Sequence, residues 1–152
     1  MAPGVRGGRG YPRVNRRVKT THALRGRMVK YDDIAYFDAL ADALNQDAQF
    51  QSKASSLKTS LLFVKKDRPD GALLRIDGGK VSAENVPVET PAEFTFTAPY
   101  DVWVTNHRDS VPLEKLIMTG KVKLKGSIPK IMMMKNTLTL IDAKAKTIPA
   151  EY

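Results

Sequence analysis

Between Gly120 and Ile141 the chain reads "GKVKLKGSIPKIMMMKNTLTLI", and within those residues the spacing of apolar side chains changes from every second to every third or fourth position. Val122 and Leu124 alternate with Lys121, Lys123 and Lys125, the pattern of a strand with one wet face. After Gly126, Ser127 stands where an N-cap belongs and Pro129 falls in the first helical turn. Ile128, Ile131, Met134, Leu138 and Ile141 then recur at helical intervals, so one helix is predicted to run from this cap through Ile141. Met132, Met133 and Leu140 make its stripe wider than a surface helix needs. A strand feeding directly into so apolar a helix requires a layered α/β body with something for the excess to face. Methionine supplies two answers: it fills irregular cores, and it lines cavities that accept ligands of several shapes.

The rest of the chain supplies the other layers. Ile34, Phe37, Leu40, Ala41 and Leu44 form a helical stripe behind the aspartates at 32 and 33, which suit a helix N-terminus. A polar break follows. From Leu57 to Lys66, Leu57, Leu61 and Phe63 share one parity while Leu62 and Val64 share the other, so both faces of this strand are expected to be covered. "DRPDG" reads as a turn, "ALLRI" as a strand, "DGG" as a hairpin turn and "KVSAENV" as a third strand. "AEFTFTA" alternates, with Phe94 and Phe96 on one side and Thr95 and Thr97 on the other. Pro99 and Asp101 open a helix carrying Val102, Trp103 and Val104, and Pro112 opens a shorter one stopped by Gly120.

Charge divides the chain into an arm and a polarised body. The formal net charge is +9. Residues 1–31 hold nine bases and no acid, residues 32–111 eight bases and 13 acids, and residues 112–146 eight bases and two acids. The Gly- and Arg-rich start lacks apolar periodicity and is expected to be a disordered basic arm, residues 1–31, ahead of a domain over 32–152. Such an arm is a solvated tail or a contact for nucleic acid or anionic lipid, and import into an organelle through it stays open. With no cysteine, disulfide scaffolds, thiol catalysis and thiolate metal sites are excluded. No apolar run approaches the ~18–20 residues of a membrane span, so a cytoplasmic or peripheral protein is expected.

"AEFTFTAPYDVWV" followed by "PLEKLIMTGKVKLKGSIPKIMMM" resembles the lipid-carrier domain of the sterol carrier protein type 2 family. The resemblance rests on the Thr-rich strand Phe94 to Thr97, the Asp-led segment Asp101 to Trp103, and Gly120, Lys121, Val122, Leu124 and Gly126, with "LLRIDGGKVS" similar to the family's second hairpin. It covers Asp32 to about Lys146. It implies an α/β (α+β) fold with a five-stranded, mostly antiparallel sheet, helices on one face and an apolar tunnel between the layers. It also implies binding and transfer of a sterol, fatty acid, fatty acyl-CoA or phospholipid. Thr105, Asn106, His107 and Arg108 depart from the leucines and Gly-containing turn of relatives, which puts a more polar or shorter wall there.

A tunnel of this kind needs aliphatic lining and an entrance, since apolar burial alone supplies roughly 25 cal/mol per Å². The residues expected to line it are Phe94, Phe96, Val102, Trp103, Leu116, Ile117, Met118, Ile131, Met132, Met134 and Leu138. Trp103 is equally suited to plain core, and its fluorescence is expected to report a bound ligand if it lines the tunnel. Lys121, Lys123, Lys125 and Lys130 are either a solvated face or a surface for transient contact with an anionic membrane.

No catalytic residue, cofactor or metal site is expected, because the aspartates are scattered without a His or Glu at ligand spacing and no phosphate-cradling loop occurs. His107, beside Arg108 and Asp109, reads as part of an exposed polar turn. The alternatives are a small-ligand enzyme on the same fold, using His107, Arg108 and Tyr100 at the tunnel mouth, an accessory protein using the same tunnel, and nucleic-acid binding through the arm.

Overall fold

The computed structural model describes residues 29–31 and 33–152. In chain order the elements are β1 (Val29–Lys30), α1 (Ile34–Asn45), α2 (Ala48–Lys53), β2 (Lys58–Lys65), β3 (Asp70–Asp77), β4 (Lys80–Pro87), β5 (Phe94–Ala98), α3 (Tyr100–Arg108), α4 (Leu113–Met118), β6 (Lys123–Lys125), α5 (Ile128–Met133), α6 (Lys135–Ala145) and β7 (Ala150–Glu151).

Five strands form one sheet in the order β4-β3-β2-β5-β6, antiparallel except where β2 meets β5. The β3–β4 turn works because Gly78 and Gly79 both take positive φ, at 61° and 88°, as the tight hairpin turn demands. Asn45 then ties α1 to β4, its side chain donating to the Val81 carbonyl at 2.8 Å and accepting from the Val81 N–H at 2.7 Å.

Both parities of β2 are indeed covered. Leu61 and Phe63 face the helices, where Phe63 stacks on Phe96 with ring centroids 5.1 Å apart. Leu62 and Val64 face the other way and form a smaller cluster with Leu73 and Val86, capped by Val88 and Ala92 of the crossover to β5. Phe50, Phe94, Phe96 and Leu61 are fully buried, each contributing roughly 1.5–3 kcal/mol of hydrophobic stabilisation.

Four features differ from the sequence expectations. The polar break after Leu44 contains α2, capped by Asp47, whose carboxylate accepts from the Phe50 N–H at 2.9 Å. The apolar C-terminal helix is two helices, because Met134 leaves helical geometry at φ −104°, ψ 22°. The folded body reaches back into the stretch assigned to the basic arm: Val29 and Lys30 pair in parallel with Ala150 and Glu151, and Tyr31 is buried, its hydroxyl donating to the Trp103 carbonyl at 2.8 Å. The remainder of that arm, residues 1–28, lies outside the described residues.

The fourth is His107, which is a buried part of α3 rather than an exposed turn. Its Nε2 donates to the Ile148 carbonyl at 2.9 Å, which leaves Nδ1 to accept from the Tyr152 hydroxyl. Burial, and secondarily the Lys146 charge, push its pKa below the ordinary imidazole value, against the opposing pull of the Ile148 and Ala145 carbonyls.

Candidate functional site

An apolar groove of about 660 Å³ lies where α4, α5 and α6 converge over Leu124 of β6. Three local devices build it. Gly120, at φ 79°, ends α4 with its N–H on the Ile117 carbonyl at 3.1 Å, while the Lys121 N–H reaches the Leu116 carbonyl at 2.9 Å. This turns the chain so that Val122 is buried, 1% exposed, at the head of β6. Ser127 caps α5 by accepting from the Lys130 N–H at 3.3 Å. At Met134 the ladder is shared: its N–H meets the carbonyls of Lys130 and Ile131, both at 3.2 Å, before the Leu138 N–H bonds back to Met134 at 2.9 Å. The break redirects the chain while keeping Ile131 and Leu138 on the groove floor.

The walls are Ile117 and Met118 of α4, Ile128 and Met132 of α5, and Leu113 and Pro112 at the start of α4. Met118, Ile128 and Met132 are 78%, 55% and 64% exposed. So much apolar area facing water is unfavourable by the same coefficient that rewards burial, so the groove is a place where an apolar guest gains by settling. Its polar groups are few. Glu114 and Lys135 form an ion pair at 3.2 Å between α4 and α6, and Thr139 and Asp142 complete the lining. Asp142 is fully engaged, accepting from Asn106 Nδ2, the Leu113 N–H and Lys146 Nζ, each at 3.1 Å.

Where a tunnel between the layers was expected, a partly open pocket holds about 40 Å³ among Tyr36, Phe37, Phe63, Trp103 and Ile141, room for roughly one water. Leu113 and Asp142 line both this pocket and the groove.

Of the expected lining residues, Ile117, Met118, Ile131, Met132 and Leu138 come together in the groove. Phe94, Phe96 and Leu116 are buried in the core, and Val102 packs half-buried against it. Trp103 is core on this small pocket, its indole N–H donating to the Val64 carbonyl at 3.0 Å. Met134 is buried beside Phe94 on a different pocket. Leu113, Leu124 and Ile128 belong to the groove although they were not singled out; the inward parity of Leu124 and the stripe position of Ile128 were the available signals.

Lys121, Lys123 and Lys125 are exposed, the last two on the edge strand β6, where lysine discourages edge-to-edge pairing. Lys130 pairs with Glu93, which also accepts from Thr59; the Lys130 contact foremost holds the Glu93 carboxyl below its usual range. Tyr100, His107 and Arg108 lie outside the groove lining, and Arg108 pairs with Asp109 at 3.1 Å. Among the described residues no group of three or more His, Cys, Asp or Glu is placed to hold a metal ion, and no helix is long and apolar enough to cross a membrane.

The family model of the SCP-2 sterol transfer family matches residues 37–139. Comparison with curated proteins returns no match. Among solved structures, sterol carrier protein 2 superposes with a TM-score of 0.69 at 20% identity, over 78% of this chain and 99% of that one. A conserved hypothetical protein of Thermus thermophilus, described as a candidate sterol carrier protein, gives 0.68 at 20% identity over 82% and 97%. The sterol carrier protein domain 2 of Helicoverpa armigera gives 0.51 at 18% identity over 84% and 100%. At these identities the likeness to the solved structures is one of fold.

Proposed function

Because the chain belongs to the SCP-2 sterol transfer family, we propose that it binds an apolar ligand in the groove between α4, α5 and α6 and transfers it, without catalysis. The ligand is a sterol, fatty acid, fatty acyl-CoA or phospholipid. The observation that carries this reading is the water-facing aliphatic wall of Met118, Ile128 and Met132 around about 660 Å³ of space. A guest that covered about 200 Å² of such surface would gain on the order of 5 kcal/mol before the costs of association.

Transfer requires a meeting with the membrane that holds the lipid. Lys121, Lys123 and Lys125 follow α4 directly in the chain and present positive charge to anionic head groups, each worth about 1 kcal/mol near such a surface. Lys130 serves the same surface only when its pairing with Glu93 opens.

The test is thermal. Sterol, fatty acid and acyl-CoA are titrated into the full chain, and at least one is expected to raise the melting temperature. Met132→Lys, which puts an ammonium into the wall at an exposed position, is expected to abolish that rise while leaving the unliganded melting temperature close to the parent's. A melting temperature indifferent to all of them overturns the reading.

A further inference from the structure

A second pocket, of about 340 Å³, opens on the flank of α5 opposite the groove, between the α2–β2 junction, the start of β5 and the α5–α6 break. Its back wall is apolar, with Phe94 and Met134 buried and Met133 exposed at the edge. Its polar side differs from the groove's. Lys53, Lys58 and Lys130 line it against one carboxylate, Glu93, so its formal charge is +2. Glu93 is already engaged by Lys130 and Thr59. Lys53 and Lys58 make no ion pair or hydrogen bond through their side chains to the described residues.

Thr137 supplies the independent sign. It lines this pocket from α6 and is only 7% exposed, yet its hydroxyl has no hydrogen-bond partner among the described residues. A threonine inside a helix ordinarily bonds back to the carbonyl four residues earlier, as Thr105 does to Asp101 and Thr139 to Lys135, both at 3.0 Å. A buried hydroxyl left without a partner is unfavourable, and an oxygen atom arriving in the pocket relieves it.

We propose that this pocket binds a phosphate-type anion carrying an apolar group. Lys53 and Lys58 are the counter-charges, Thr137 donates to a phosphate oxygen, and the apolar group lies on Phe94 and Met134. The +2 charge of the lining complements the roughly −1.5 to −2 of a phosphate monoester near pH 7. The proposal is independent of the groove and of what the groove holds.

The experiment uses the full chain labelled with ¹⁵N and three probes: inorganic phosphate, monomeric short-chain phosphatidic acid, and the matching uncharged diacylglycerol. Phosphatidic acid is expected to shift the amides of Lys58 and Thr137, and diacylglycerol is not. The double substitution Lys53→Gln, Lys58→Gln is expected to weaken binding about tenfold. Thr137→Val, which leaves the charge unchanged, is expected to weaken it about fivefold. Met132→Lys, in the groove, is expected to leave it as it was.

Phosphatidic acid is expected to bind more tightly than inorganic phosphate; equal binding overturns the role given to Phe94 and Met134 and with it the proposal of an apolar-tailed ligand. Three further results overturn it: no shift at those amides with either anion, an affinity that neither variant changes, or shifts at Lys121, Lys123 and Lys125 as large as those in the pocket. The two lysines are exposed and unpaired among the described residues, so their double variant is expected to keep the parent's melting temperature and report on binding alone.

Discussion

The backbone N–H of Leu113 donates to Oδ2 of Asp142 at 3.1 Å, and this pair lines both the large groove and the small pocket beside Trp103. A proline at 112 starts α4 here, and Asp142 accepts the first N–H that follows it. The side chain of Leu113, 5% exposed, is therefore expected to set how deep a guest in the groove reaches.

Leu113→Ala is expected to join the two spaces. Stability falls by about 2–5 kcal/mol, as for other buried leucines cut to alanine. Trp103 lines the small pocket and not the groove, so the fluorescence response anticipated from sequence is expected only once Leu113 is cut back. The measurement is Trp103 emission during titration with fatty acids of increasing chain length. In the parent the emission stays flat while the melting temperature rises. In Leu113→Ala it changes, and each additional methylene reaching the small pocket tightens binding about fourfold, from ~0.8 kcal/mol per buried CH₂.

The fold was legible wherever a single face decides the outcome. Phe94 and Phe96 against Thr95 and Thr97, or Val122 and Leu124 against three lysines, leave one register that buries the apolar side. It was illegible where long-range contacts decide. Phe50 is the one large apolar residue of α2, and its complete burial together with the Asp47 cap holds six residues in a helix. The β1–β7 pair is two residues long, below any period. Met134 has favourable helix propensity, so nothing local marks the break, which leaves Ile131 and Leu138 lining one groove.

The candidate site was legible by composition and not by depth. Met118, Ile117, Ile131, Met132 and Leu138 line one groove, because helix period and strand parity fix direction. Sequence spacing carries no information on which apolar faces meet, so Phe96 and Leu116, buried in the core, were grouped with them, as was Phe94, which lines a different pocket.

His107 gives the protein a pH response. Its folded-state pKa lies below that of the unfolded chain, so its contribution to stability is complete above about pH 6.5 and is lost as pH falls toward the folded value. Asp47 and Glu93, both shifted downward by lysine contacts, act only at lower pH, below the ordinary carboxylate value. Melting temperature is expected to drop between about pH 7 and about pH 5. In His107→Phe the protein is less stable throughout, having lost the Ile148 and Tyr152 hydrogen bonds, but the drop across that interval is expected to flatten.

Gly126 fixes where α5 departs from β6. Its φ of 141° is a region that side chains disfavour, and a Cβ there meets the Glu93 carbonyl oxygen at 2.7 Å and Phe94 Cδ1 at 2.6 Å. Gly126→Ala is expected to cost about 2–4 kcal/mol, read as a lower urea midpoint. It is also expected to disturb the Phe96–Leu124 pairing and with it the ligand-induced rise in melting temperature.

Met118, Met132 and Met133 are 78%, 64% and 87% exposed, whereas Met134 is 7% exposed. Peroxide therefore reaches the first three sulfurs long before the last. Each sulfoxide formed at 118 or 132 turns a stretch of the groove wall polar while the core stays intact. Mild oxidation is therefore expected to weaken the proposed apolar binding without unfolding the protein, and methionine sulfoxide reductases are expected to restore it.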